Sequence, residues 1–147
     1  MTQKDKEILL KDLCARLPYG VKLHKTYEEC DSLELCSLDI RNDKLVFYKY
    51  KGEVLTICET DDIERFGQIK YKPYLFPLSS ITDEQEKELS KLGVTYLEYA
   101  LHDDIRGLGI MVEDAYIFFE FCYKHHIDFL GLIQMGLAID ATGKNIY

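Results

Sequence analysis

Tyr71–Gln85, YKPYLFPLSSITDEQ, is where this chain changes character. Upstream of it apolar residues recur at every second position, and downstream they recur at helical spacing. The stretch carries two of the three prolines. It closes on Thr82-Asp83-Glu84-Gln85, a capping box: the threonine oxygen accepts from the Gln85 N–H, and the Gln85 side chain accepts from the Thr82 N–H. A strand-rich half joined at this point to a helix-rich half makes an α+β chain. The 147 residues are read as one domain, with a helix over 1–20, a strand-rich part over 21–70 and a helix-rich part over 71–147.

Working back from Tyr71, Val21-Lys22-Leu23-His24 alternates, and so do Leu33 and Leu35. Cys36, Leu38 and Ile40 fall on the opposite phase, which predicts a bulge or sharp bend inside one strand. Asn42-Asp43 reads as a turn. Strands over Leu45–Tyr50 and Glu53–Glu59 flank Lys51-Gly52, a tight hairpin, and Asp61-Asp62 reads as a further turn. Short strands punctuated in this way suggest a small bent antiparallel sheet or a Src-homology-3-like barrel. Before them, Leu10, Leu13, Cys14 and Leu17 fall on one helical face. Thr2-x-x-Asp5 caps that helix, Pro18 stops it and Gly20 permits the reversal.

Working forward, the helix that opens at Thr82 ends at Leu92, with Gly93 at its C′ position. Its only strong apolar residues are Leu89 and Leu92, so it is expected on the surface. Val94–Tyr99 reads as a strand, and Leu108–Met111 as another. The next helix, from about Val112 to His126, is apolar nearly all round. Val112, Ala115, Tyr116, Phe119, Cys122 and Tyr123 make one face, while Ile117, Phe118 and Phe121 make most of another. The expectation is that Leu13, Leu17, Phe119 and Cys122 are buried and that Phe118 and Phe121 lie away from the domain's own core. They are then covered by Ile127–Ile139, in a monomer, or by a second subunit.

Composition narrows the function classes. No apolar run approaches the roughly 20 residues of a membrane span, and the start MTQKDKEI lacks the apolar core of a signal peptide. A cytoplasmic, soluble protein without a membrane partner is expected. Residues 82–147 carry five basic and twelve acidic groups, a net of −7 out of a chain total of −8. Such a surface repels phosphate backbones. The five cysteines, Cys14, Cys30, Cys36, Cys58 and Cys122, include no Cys-x-x-Cys pair. Neither a disulfide nor a structural metal is expected from them.

Three segments resemble a known family: Asp12–Lys22, DLCARLPYGVK; Lys72–Gln85, KPYLFPLSSITDEQ; and His125–Tyr147, HHIDFLGLIQMGLAIDATGKNIY. The chain is similar end to end, most loosely over Glu28–Gly67, to an uncharacterised single-domain family of Bacteroides-group gut bacteria and their prophages. The resemblance implies an intracellular protein carried by mobile elements. It transfers no catalytic residue.

Candidate sites follow from residue chemistry. His125, His126 and Asp128 end the apolar helix, and could form a metal site or a general base with its carboxylate. Neighbouring helical residues diverge by about 100°, so the alternative is a cationic helix end that complements the dipole. Acidic pairs occur at Asp61-Asp62 with Glu64 and at Asp103-Asp104, in turn-favouring positions. Tyr48-Lys49-Tyr50-Lys51 and Lys70-Tyr71-Lys72-x-Tyr74 interleave aromatics with lysines, a nucleic-acid or ligand surface or simply exposed strands. No phosphate-binding glycine loop, nucleophile elbow or zincin motif is present. The sequence therefore points to a non-enzymatic interaction protein with a protein partner and no cofactor. A nucleic-acid-associated small barrel is the alternative, and a small metal-dependent hydrolase the third reading.

Overall fold

The computed structural model describes residues 2–26, 33–39, 44–51, 54–65, 68–94 and 112–147. Helix α1 spans Gln3–Arg16 and starts with the expected cap: Thr2 N donates to Asp5 Oδ2 at 2.9 Å, and Asp5 N to Thr2 Oγ1 at 3.1 Å. A 3-10 turn over Leu17–Tyr19 follows. Gly20, at φ 68°, then turns the chain into β1, Lys22–Lys25. Strands β2 (Leu33–Asp39), β3 (Lys44–Lys51) and β4 (Val54–Asp62) build outward from β1 in sequence order, all antiparallel. The expected phase flip is a bulge. Leu35 pairs with Phe47 and Ser37 with Val46, so Cys36 is the extra residue.

Asp61-Asp62 is not a turn. Both residues continue β4, opposite Leu45 and Lys44. The register pairs Lys44 with Asp62 and Leu45 with Asp61, so the ladder runs to the end of the strand. A two-rung hairpin of β5 (Glu64–Arg65) and β6 (Gln68–Ile69) then leads into β7, Tyr71–Pro77.

Among the described residues, every pairing between strands not consecutive in the chain passes through β7, as does every parallel pairing. β1 pairs antiparallel with its first half, from Tyr71 to Pro73. Its second half takes two short parallel partners, β8 (Ile127–Asp128) at Phe76 and Pro77, and β9 (Ile139–Asp140) at Tyr74 and Leu75. The strand order is β4-β3-β2-β1-β7-β8, with β9 also on β7, and the sheet is open. The barrel alternative is not realised, because among the described residues no rung joins β4 back to the far side.

After a 3-10 turn over Leu78–Ser80, α2 spans Asp83–Lys91 between its Thr82 capping box and a Schellman end. There Gly93 N reaches Ser90 O at 3.2 Å, and Val94 N reaches Leu89 O at 3.1 Å. Leu89 is buried and Leu92 exposed. Helix α3 covers Val112–Lys124. The strands expected at Leu108–Met111 and, beyond Val94, at Val94–Tyr99 lie outside the described residues. So do the Asn42-Asp43 turn, Gly52 and Asp103-Asp104. Among the described residues no helix is long and apolar enough to cross a membrane.

Alternation along β7 divides the interior in two. Tyr71 and Leu75 enter a core with Leu9, Leu10 and Leu13 of α1, Leu23 of β1 and Leu35 of β2. Phe76 borders a second core of Leu89, Phe118, Phe121, Cys122, Ile127 and Phe129. Arg16, fully buried, spans the seam between them. Its Nε donates to Asp12 Oδ2 at 2.8 Å, Nη1 to the Cys122 carbonyl at 3.1 Å and Nη2 to the Ile127 carbonyl at 2.8 Å. Its guanidinium also lies 5.2 Å from the Tyr123 ring centroid. Burial pushes the Asp12 carboxyl up, against the pull of Arg16.

The buried face of α3 differs from the expected one. Leu13 and Cys122 are buried and Leu17 half-buried, but Phe119 is 37% exposed and Tyr116 69% exposed, while Phe118 and Phe121 are buried. The reason lies downstream of the helix. β8 pairs with Phe76 and brings Ile127 and Phe129 against the Phe118–Phe121–Cys122 side, at i, i+3 and i+4. Intramolecular cover is thus supplied by Phe129, 6.4 Å from Phe118, whereas Leu130 stays exposed and Leu132 and Leu137 join the first core.

Candidate functional site

The end of α3 forms one wall of the cleft in which the two candidate histidines lie. His125 N still bonds to Phe121 O at 3.0 Å, and His126 N to Tyr123 O at 3.3 Å. His126 then takes φ 56°, the left-handed conformation in which glycine usually ends a helix. This residue reverses the chain into β8 and carries its ring inward, where it is 6% exposed.

Tyr147 stacks flat on that ring, with centroids 3.9 Å apart and planes 14° apart. Its hydroxyl accepts from Lys22 N at 3.2 Å and donates to Tyr74 O at 2.8 Å. The last turn of the chain is thereby tied to β1 and β7. Burial drives the His126 imidazole down to about 4, helped by Arg16, and raises Tyr147 to about 12. His126 is neutral near pH 7, and its Nδ1 has no hydrogen-bond partner among the described residues.

The opposite wall comes from the start of α2. Thr82 and Gln85 complete their capping box at 2.9 and 3.3 Å, and Ser80 Oγ donates to the Pro77 carbonyl at 2.6 Å. With Phe76 and Ile127 at the back, and Thr142 and Gly143 from the last loop, these residues enclose a cleft of about 540 Å³. At the rim Glu88 meets two donors: Lys124 Nζ stands 3.0 Å from its Oε1, and His125 Nε2 lies 3.4 Å from its Oε2, short of hydrogen-bond alignment. The Lys124 hydrogen bond holds the Glu88 carboxyl below its usual range.

His125 and His126 both line this cleft, but Asp128 serves elsewhere. Its two oxygens accept from Leu132 N at 2.8 Å and Ile133 N at 2.7 Å, fixing the next turn. The carboxylate–histidine base pair is therefore not assembled, and the ring nitrogen it would orient is sealed from solvent. Among the described residues no group of three His, Cys, Asp or Glu side chains is placed to hold a metal ion. Of the tyrosine–lysine surface, the Lys70–Tyr74 part has its two aromatic rings turned inward. Tyr71 is 1% exposed and Tyr74 8% exposed, with Tyr74 Oη bonded to His24 Nδ1 at 3.1 Å, so neither offers a face for a base. Lys70 and Lys72 are half-buried beside them. Tyr48, Lys49, Tyr50 and Lys51 lie on β3, paired with β4.

Sequence reasoning missed Arg16, Asp12 and Tyr147. An Asp12-x-x-x-Arg16 pair inside an apolar helical row was the available signal for the first two. Nothing local marks Tyr147. Comparison with models of protein families, with curated proteins and with solved structures finds no match to this chain.

Proposed function

We propose that this chain is a non-enzymatic interaction protein of the mobile-element-associated kind its sequence resembles, and that it binds a partner protein through the outer face of α3. The carrying observation is Tyr116, 69% exposed, one helical turn from Phe119, 37% exposed. With half-buried Tyr123 they occupy i, i+3 and i+7 of one helix face. Phe119 is held flat on Phe129, centroids 4.9 Å apart, and Tyr19 Oη sits 3.4 Å from Glu120 Oε1 beside it. Ordered aromatic anchors of this kind, placed on a rigid helix, are the usual centres of protein interfaces.

Charge selects the partner. The last third of the chain carries a net of −7. A second copy would bring like charge against it, so the fitting partner sets basic residues around an apolar anchor.

The test compares bait proteins in native lysate of the source bacterium: wild type, Tyr116→Glu and Phe119→Glu, each checked for an unchanged circular dichroism spectrum. The expected result is a protein retained by the wild type, lost from both variants and released by raised salt. Identical retention by all three baits overturns the reading.

A further inference from the structure

We infer that the cleft between α2, α3 and the last loop binds a small, flat monocarboxylate, an aromatic or heteroaromatic ring carrying one acid group. This site is separate from the outer face of α3 and stands or falls independently of it. Its volume, about 540 Å³, falls within the range of roughly 300–1,000 Å³ common to small-molecule sites.

One side of the cleft is aromatic. The Phe76 and Tyr147 rings lie 6.0 Å apart at 49°, and Tyr147 is backed in parallel by His126. A planar ring packs on such faces in an offset or edge-on arrangement. The other side offers donors. The Thr82 oxygen already accepts from Gln85 N, and the Gln85 carbonyl oxygen already accepts from Thr82 N. What these two side chains have left to give, among the described residues, is a hydroxyl hydrogen and an amide NH₂ group. Lys124 directs one N–H at Glu88 and has two others. Lys124 and His125 already approach one carboxylate, that of Glu88, from the two sides of its fork. His125 Nε2 is itself sealed, so the donor that suits the carboxylate of a ligand is Lys124, through its two remaining N–H groups.

Charge limits that ligand to a single negative charge. Asp83, Glu84 and Glu86 stand in the first turn of α2, and Glu88 follows. None of the four lines the cleft, but all lie on the same short helix, and a phosphate dianion at Thr82 takes twice the repulsion of a monocarboxylate. His126 supports this wall of the cleft from behind Tyr147. It is nine-tenths buried at the wall of the cleft, one ring nitrogen lacks a partner, and its backbone holds a conformation that glycine adopts more easily. Both features are costly, and the stacking on Tyr147 is what they sustain. Here the ring is the platform that holds Tyr147 in place.

The experiment is an NMR titration of the full chain at neutral pH with sodium benzoate, with inorganic phosphate and benzyl alcohol run in parallel. Saturable shifts of the Phe76, Tyr147 and His125 ring signals with benzoate, and none with the other two probes, are expected. Lys124→Gln should weaken benzoate about two- to fivefold, the range for a partly exposed ion pair. Tyr116→Glu should leave it unchanged, which separates this site from the partner surface. No saturable shift by about 10 mM benzoate, well beyond the millimolar affinity of weak specific sites, overturns the inference. So does an equal response to phosphate or benzyl alcohol, or an affinity indifferent to Lys124→Gln, which marks an adventitious additive only.

Discussion

Arg16 of α1 donates a hydrogen bond to the backbone carbonyl of Cys122 in α3, at 3.1 Å and 106 residues away along the chain. Cys122 is in the last turn of α3, where carbonyls lack helical partners. A second hydrogen bond from the same guanidinium reaches Ile127, the first residue of β8. One buried side chain thus caps a helix, fixes the strand that follows and joins the two cores. Asp12 is its counter-charge, at 2.8 Å and fully buried.

Removing that counter-charge should be expensive. Asp12→Ala leaves a buried guanidinium without an anion, and is expected to cost about 3–5 kcal/mol. Urea denaturation measures this. A loss below about 1 kcal/mol would mean that water reaches Arg16 and that the seam is looser than its geometry implies.

Stability should fall on mild acidification because of His126. Its folded-state value of about 4 lies below the ordinary 6.5. Between those two values the unfolded chain binds a proton that the folded chain does not, so stability is fully present above about pH 6.5 and is lost as pH falls toward about 4. The loss is on the order of 3 kcal/mol. His126→Asn tolerates the same backbone conformation and cannot take the proton, so its denaturation midpoint should vary less over this window. An unchanged slope in that variant would assign the acid sensitivity to other groups.

The two faces of α3 make opposite predictions for neighbouring phenylalanines. Phe118→Ala should cost about 3–5 kcal/mol, as for other buried aromatics. Phe119, on the outer face, should cost clearly less on the same substitution. Chemical denaturation of the two variants decides it, and a reversed order would show that the helix is rotated.

Tyr147→Phe keeps the ring on His126 and deletes only the hydroxyl. The Lys22 N and Tyr74 O hydrogen bonds to that hydroxyl are then lost, for a loss of about 1–3 kcal/mol. Faster hydrogen exchange at the Lys22 amide should accompany it. A variant as stable as the wild type, with unchanged exchange, would show that water replaces the hydroxyl.

What the sequence determined by itself is what depends on near neighbours. Thr2 and Thr82 cap helices through residues three positions away, Gly93 ends α2 through the preceding turn, and the change of phase at Cys36 records a bulge. The α+β division at Tyr71–Gln85 belongs to the same class, because a period is a property of a short window. Tertiary structure alone decided the rest. Two-residue strands such as β8 and β9 are too short to show a period, and they exist because β7 offers them a ladder. The inward face of α3 could not be read from a helix apolar on both sides. It was selected by where β8 and Phe129 return. The cleft depends on Tyr147, which meets Lys22 across 125 residues. A contact made at such separation leaves no mark on the residues around it, since its geometry is supplied by the whole sheet between them.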